Sequence, residues 1–346
     1  MTDLLTGMPR TEDELDDQLS RPGPGVAEAL ATTDGDIVVL GAGGKVGPTL
    51  ARMVRRALDE AGSSRRVLAV SRWSDAQTRE RIASWGVEPV TADLADPGAY
   101  ADLPDAGAVY YLAGQKFGTS GREHLTWWMN GVVPGLAAAR YRGVPTVVYS
   151  SGNIYPFVPA HSGGCTEKDR PGPVGAYAQS CLAREQAFTY AAEAWGTPVS
   201  IYRLNYAVEL RYGVLADLAT TISEGRPVDV TMGAVNAVWQ RDSTEWSVRS
   251  LEHAATTPYL LNGTGPETAS TRALALELGE RMGREVELIG EEAPGALLND
   301  AARCFATYGY PQVPLRQALA WVADWVGQGG RQLGKATKFQ TRDGRF

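Results

Sequence analysis

From Asp36 onward, short apolar runs alternate with longer amphipathic stretches. "DIVVL", "RVLAVS", "VEPVTADL", "AGAVYYLAG", "PTVVYSSG" and "PVSIYRLN" each read as a strand. Between the first three lie "PTLARMVRRALDEAG" and "DAQTRERIASWG", whose apolar positions recur at helical spacing before a glycine stop. Strands this apolar, alternating with helices, predict an α/β doubly wound parallel sheet covered on both faces, over residues 35–204. Residues 1–34 carry an acidic helical stretch, a "RPGPG" break and a second short helix, "VAEALATT". They are expected to pack on the sheet domain as an extension. After residue 204 the alternation weakens, and helices resume at 267–283 and 314–327. This predicts a smaller substrate-binding region over 205–330, interleaved with the sheet domain. The tail, 331–346, is glycine-rich and basic, either ordered against a neighbour or frayed.

Composition narrows the function. The 346 residues hold 33 Lys and Arg against 40 Asp and Glu, a net charge of −7 with no long run of one sign. That argues against nucleic acid or an anionic membrane surface as the partner and for a small-molecule substrate. No apolar stretch reaches the roughly 18 residues a membrane helix needs. The acidic N-terminus lacks the apolar core of a signal peptide, so a cytoplasmic protein is expected. Cys165, Cys181 and Cys304 have no metal-ligand spacing, and no metal site is expected.

The first strand runs into "GAGGKVGPT", with Gly41, Gly44 and Gly47 between strand and helix. Glycines there permit the tight turn and let a diphosphate approach backbone N–H groups at the helix start, with Lys45 and Val46 beside it. This is the Rossmann-type arrangement of a nicotinamide dinucleotide, NAD or NADP. Past the second strand, where NAD-binding domains carry an acidic residue for the ribose hydroxyls, Ser71 and Arg72 stand instead. That suits a 2′-phosphate and favours NADP.

Taken with the following segments, the chain resembles the extended short-chain dehydrogenases/reductases of the NAD-dependent epimerase/dehydratase family over about residues 36–327. "TADL" matches the segment whose Asp93 and Leu94 would flank the adenine. "YLAG" matches the motif that puts Ala113 and Gly114 beneath the cofactor, and "WMNGVVPGLAAA" the helix carrying a structural asparagine, Asn130. "YSSGNIY" resembles the motif whose serine, Ser151, is catalytic. The resemblance further implies a homodimer, through "HLTWWMNGVVPGLAAARY" and "AYAQSCLAREQAFTYAAEAWG", with Val132, Leu136, Phe188 and Ala192 as candidate contacts.

The resemblance makes Tyr177 the proton-transfer residue. In the family a lysine four residues later lowers the tyrosine pKa and holds the nicotinamide ribose. Here that position is Cys181, which carries no charge and is a weak donor. Cys181 is expected to fill the lysine's volume as an inert buried thiol, since the nearby Arg184 is expected on another face. Lys116, in the loop after the fourth strand, is the replacement cation or a substrate contact. Further substrate candidates are Asn153, Tyr206, Trp239 and Arg241, the last two in "AVWQRDSTEW". The reading is an NAD(P)-dependent oxidoreductase or epimerase acting on a hydroxyl or keto group of a sugar-like or polar small molecule. Its alternatives are a redox-neutral isomerase or dehydratase with tightly held cofactor, and a catalytically silent cofactor-binding protein.

Overall fold

The computed structural model describes residues 7–117, 121–335 and 337–345. Seven parallel strands form the central sheet: β1 (Ile37–Leu40), β2 (Val67–Ser71), β3 (Glu88–Thr91), β4 (Ala108–Tyr111), β5 (Thr146–Ser151), β6 (Val199–Leu204) and β7 (Tyr259–Gly263). Their spatial order is β7-β6-β5-β4-β1-β2-β3. The chain moves outward from β1 to β3, then crosses back to lay β4 on the other side of β1. That reversal opens a crevice beyond the C-terminal ends of β1 and β4. Leu40 aligns with Val70 on one side and Tyr111 on the other, so the loops after β1, β2 and β4 leave the sheet at one level. Strands β1, β4 and β5 are buried throughout, as apolar runs in a sheet covered on both faces should be.

Six of the strands fall where the apolar runs predict them. The seventh, β7, comes from the interleaved region, and pairs with β6 from Tyr259↔Ser200 to Gly263↔Leu204. The helices α1 (Glu12–Leu19) and α2 (Val26–Leu30) make the N-terminal extension. α2 packs Val26 and Leu30 into the sheet's core as expected. α1 reaches both regions: Asp17 pairs with Arg56 of the sheet domain at 2.9 Å, while Leu15 and Leu19, one turn apart, join the core of the smaller region. The glycine loop leads into α3 (Gly47–Glu60), which carries Pro48 in its first turn, and α4 (Ala76–Ser84) is capped by the Asp75 carboxylate on the Gln77 N–H.

The helical stretch at 124–141 is interrupted. α5 (Glu123–Trp127) and α6 (Val133–Arg140) are joined by a wider π turn at Trp128–Val132. Pro134 lacks the N–H that would bond the carbonyl one turn back at Asn130, which favours the break at this point. α7 (Gly175–Trp195) is the longest helix and carries Tyr177 in its first turn.

The smaller region holds α8 (Val214–Ser223), α9 (Gln240–Arg249), α10 (Thr271–Met282), α11 (Ala302–Tyr308) and α12 (Leu315–Gly327). Only α10 and α12 are visible as apolar periodicity. α9 has the composition of a surface loop, yet Gln240 through Val248 are all buried. The tail is ordered: residues 331–335 and 337–345 run as a strap from the glycine loop to the start of α7. Among the described residues no helix is long and apolar enough to cross a membrane.

Candidate active site

The crevice has two ends. At one, the glycine loop turns from β1 into α3. Gly41 has φ +83°, and a Cβ there would lie 2.5 Å from the Ala113 nitrogen, so the close approach of β1 and β4 demands glycine. Gly47 is likewise pressed against Ala42. Gly44 differs, because its Cβ would meet only the Gly41 carbonyl, at 3.4 Å, and otherwise face the groove. Its missing side chain therefore leaves room for a ligand. The groove is a cavity of about 250 Å³ with Gly43, Gly44, Lys45, Ser71, Trp73 and Asp75 among its walls.

Arg72 is exposed and is not part of that wall. The side chain that turns in is Trp73, buried, at φ +50°, with its indole N–H on the Val90 carbonyl at 2.9 Å. Its left-handed backbone sends the neighbouring Arg72 outward, and no periodicity signals that. Asp93 is exposed and turns back on its own backbone, accepting from the Ala95 N–H, while Leu94 is buried beneath it. Ala113 is buried and Gly114 lies on the crevice floor, where a Cβ would strike Arg184 Nη2 at 2.5 Å.

At the other end β5 and α7 bring Ser151 and Tyr177 together. Ser151 and Cys181 both act on the Tyr177 phenol there, Cys181 raising its proton affinity and Ser151 lowering it. Ser151 Oγ further contacts Asn153, accepting from its N–H and bonding its side-chain oxygen, each at 3.1 Å. Lys116 sits over this pair, its ammonium 5.3 Å from the Tyr177 ring centre and 5.4 Å from that of Phe117. Lys45 reaches the same Phe117 ring at 4.8 Å and lies 3.2 Å from the centre of Tyr212. A cavity of about 430 Å³ opens beside Tyr177, with Lys116, Glu123 and Arg345 among its walls. Residues 118–120 of the same loop lie outside the described residues.

Burial governs the proton affinities. It pushes the Tyr177 phenol up, the Cys181 side chain adds to that, and Arg184 opposes it. Cys181, fully buried against Ile154, Tyr155 and Cys165, has its thiol raised too. Burial lowers the Lys116 ammonium to about 8 and that of Lys45 to about 7.

Arg184 does not point away from this centre. It stands three residues after Cys181 and seven after Tyr177, two spacings that share a helical face. Its guanidinium is buried, donating to the Tyr149 carbonyl at 2.7 Å and to Asn130 Oδ1 at 2.8 Å. Asn130, on the π turn, completes the link by accepting from the Gln115 N–H and donating to the Gln115 carbonyl and Ser180 Oγ.

Three substrate candidates lie elsewhere. Trp239 is 1% exposed and packs edge-on against Trp321 in the core of the smaller region. Arg241, equally buried, is held by Asp242, Glu245 and the Arg21 carbonyl, so it ties the N-terminal extension to α9. Local sequence offers a fork for an anion, and the fold uses it on its own carboxylates. Tyr206 is half-buried at φ +47° and packs against the same core.

The sequence model of the NAD dependent epimerase/dehydratase family matches residues 37–234. The chain belongs to that family and is an enzyme of the epimerase/dehydratase type. Among solved structures it is similar to UDP-glucuronic acid 4-epimerase from Bacillus cereus in complex with UDP-glucuronic acid and NAD. The TM-score is 0.71 at 18% identity, over 85% of this chain and 99% of that one. A UDP-glucose 4-epimerase from Thermus thermophilus in complex with NAD gives 0.69 at 20% identity, over 84% and 98%. A UDP-galactose 4-epimerase gives 0.67 at 20%, over 85% and 99%. No curated protein matches the chain.

Proposed function

We propose that this protein carries out NAD-dependent oxidation and reduction at a hydroxyl-bearing carbon of a sugar-like molecule, with Tyr177 as the acid/base. The observation that carries this reading is the Lys116 ammonium 5.3 Å from the centre of the Tyr177 ring, with Ser151 beside that phenol, at the end of the crevice opposite the glycine loop. Gly43 and Gly44 would hold the dinucleotide's diphosphate, and Ser71 and Trp73 would lie towards its ribose. Exposed Arg72 gives a 2′-phosphate no partner in the groove, so NAD is preferred to NADP. It is also the dinucleotide in the neighbouring epimerase structures. When bound, it supplies hydride acceptance and return.

The protein's own part is proton management. Ser151 Oγ donates to the substrate oxygen while Tyr177 Oη takes its proton. Tyr177 enters this step as the phenolate and leaves it as the phenol, and the starting phenolate is favoured by the Lys116 ammonium and by the Arg184 guanidinium beneath. Lys116 from the loop after β4 and Arg184 from α7 itself thus stand in for the lysine absent at Cys181. We further propose a homodimer through α5–α7, where Trp127, Trp128, Val132 and Tyr190 are exposed.

Tyr177→Phe tests the reading. It should bind NAD as the wild type does and lose turnover by about a hundredfold or more on any sugar or polyol the wild type converts. Full turnover in that variant would dismiss Tyr177 as the acid/base. A catalytically silent cofactor-binding protein is the second reading, favoured by the burial that holds the Tyr177 proton. It predicts NAD binding by calorimetry with no conversion of sugars or polyols at any pH.

A further inference from the structure

The groove at the glycine loop is closed by two segments that lie outside the 37–234 family match. One is α1, which contributes Glu12 and Asp16, and the other is the start of the strap, which brings Arg331, Gln332, Leu333 and Lys335 to face Gly43 and Gly44. The strap is seated by its backbone and its apolar residues. The Leu333 N–H donates to the Arg211 carbonyl at 3.1 Å. The Thr337 N–H and Oγ1 both donate to Asp217, at 2.7 and 2.5 Å. Phe339 is buried in the core of the smaller region, and Gly344 lies against Gly175, where a Cβ on the latter would stand 2.7 Å from the Gly344 Cα.

The side chains of Arg331 and Lys335 are exposed, while the Arg331 carbonyl accepts from the Trp325 indole N–H at 3.1 Å. Arg331 Nη1 pairs with Glu12 Oε2 at 3.1 Å across the groove mouth, and Arg211 shares the same oxygen at 3.3 Å. The loop's own Lys45 feels both Lys116 and Lys335, whose charges add to burial in lowering its ammonium to about 7. Cations from three parts of the chain therefore converge on backbone that is shaped, at Gly44, to admit a ligand. A diphosphate is the complementary charge for such a place.

We propose that the basic strap is part of the cofactor site. Arg331 and Lys335 supply charge to the diphosphate at Gly43–Gly44, and the Glu12–Arg331 pair latches the strap to α1 above it. This rests on the dinucleotide reading of the groove given above.

The test is calorimetry of NAD binding to the full chain over a range of salt concentrations. It compares the wild type, the double variant Arg331→Ala with Lys335→Ala, the single variant Arg331→Lys, and Gly44→Val. The double variant should bind NAD about tenfold to a hundredfold more weakly, with a shallower dependence on salt. Arg331→Lys should stay within a few-fold of the wild type. Unchanged affinity in the double variant overturns the proposal, and so does a loss with an unchanged salt dependence, which would mean that the strap only packs the groove. If the wild type binds no NAD, or Gly44→Val binds it equally well, the dinucleotide reading fails and takes the proposal with it. Binding that Gly44→Val abolishes and the double variant keeps removes the strap alone.

Discussion

Cys181 stands where the resemblance expects a lysine, and in the proposed reading Lys116 and Arg184 supply the charge it lacks. The thiol is fully buried in a small apolar cluster with Ile154, Tyr155 and Cys165, and Arg184 and Lys116 already act on it. Placing an ammonium there by Cys181→Lys would desolvate a third cation among two others. We expect that variant to be less stable by several kcal/mol in chemical denaturation and to gain no activity. Lys116→Gln is the informative change. Without its charge the Tyr177 phenol should hold its proton to higher pH, so the pH–rate profile on any converted substrate should move up. An unmoved profile would leave Arg184 as the only cation that matters.

Among the elements, α9 is the least expected from composition and the most dependent on its interior bonds. Arg241 lies between Asp242 Oδ1 at 3.1 Å and Glu245 Oε2 at 2.5 Å, all three side chains buried. Removing the cation leaves two buried carboxylates facing each other. Arg241→Met should therefore cost about 3–5 kcal/mol of unfolding free energy in urea denaturation. The helices α5 to α7 pose the opposite case. Phe188 and Ala192, expected at a subunit interface, are packed on their own sheet, Phe188 5.1 Å from Tyr111 ring to ring. The large apolar side chains that stay exposed on these helices are Trp127, Trp128, Val132 and Tyr190. If they form the dimer, Trp127→Glu with Trp128→Glu should give a monomer in light scattering at micromolar concentration, with the fold retained.

For the whole molecule, two features invite measurement. Lys45 and Lys116 are held below the ordinary lysine value of 10.5, to about 7 and about 8. Between about pH 7 and 10.5 the unfolded chain therefore binds more protons at these two sites than the folded chain does. Stability should rise with pH through that window, the burial cost being full below about 7. In Lys45→Met with Lys116→Met that rise should flatten. The second feature is the strap, which offers exposed Arg331 and Lys335 to a protease. NAD should slow tryptic cleavage at 331–335 if the ligand and the strap share the groove.

Local pattern alone determined six strands of the sheet and the glycine loop, while Ser151 and Tyr177 were singled out by the resemblance to the family. The strands and the loop rest on short-range chemistry: apolar runs must be buried, and a tight turn needs glycine. Tertiary structure decided where the charges act. The sequence offered Lys116 as a cation, but Arg184, expected on another face, is turned inward by bonds to the Tyr149 carbonyl and Asn130 that form only in the folded chain. Trp239 and Arg241 looked available to a ligand and were taken by Trp321, Asp242 and Glu245. The basic tail had no periodicity to place it. Its position over the glycine-loop groove comes from single anchors, Thr337 on Asp217 and Gly344 against Gly175, that only the folded chain brings together.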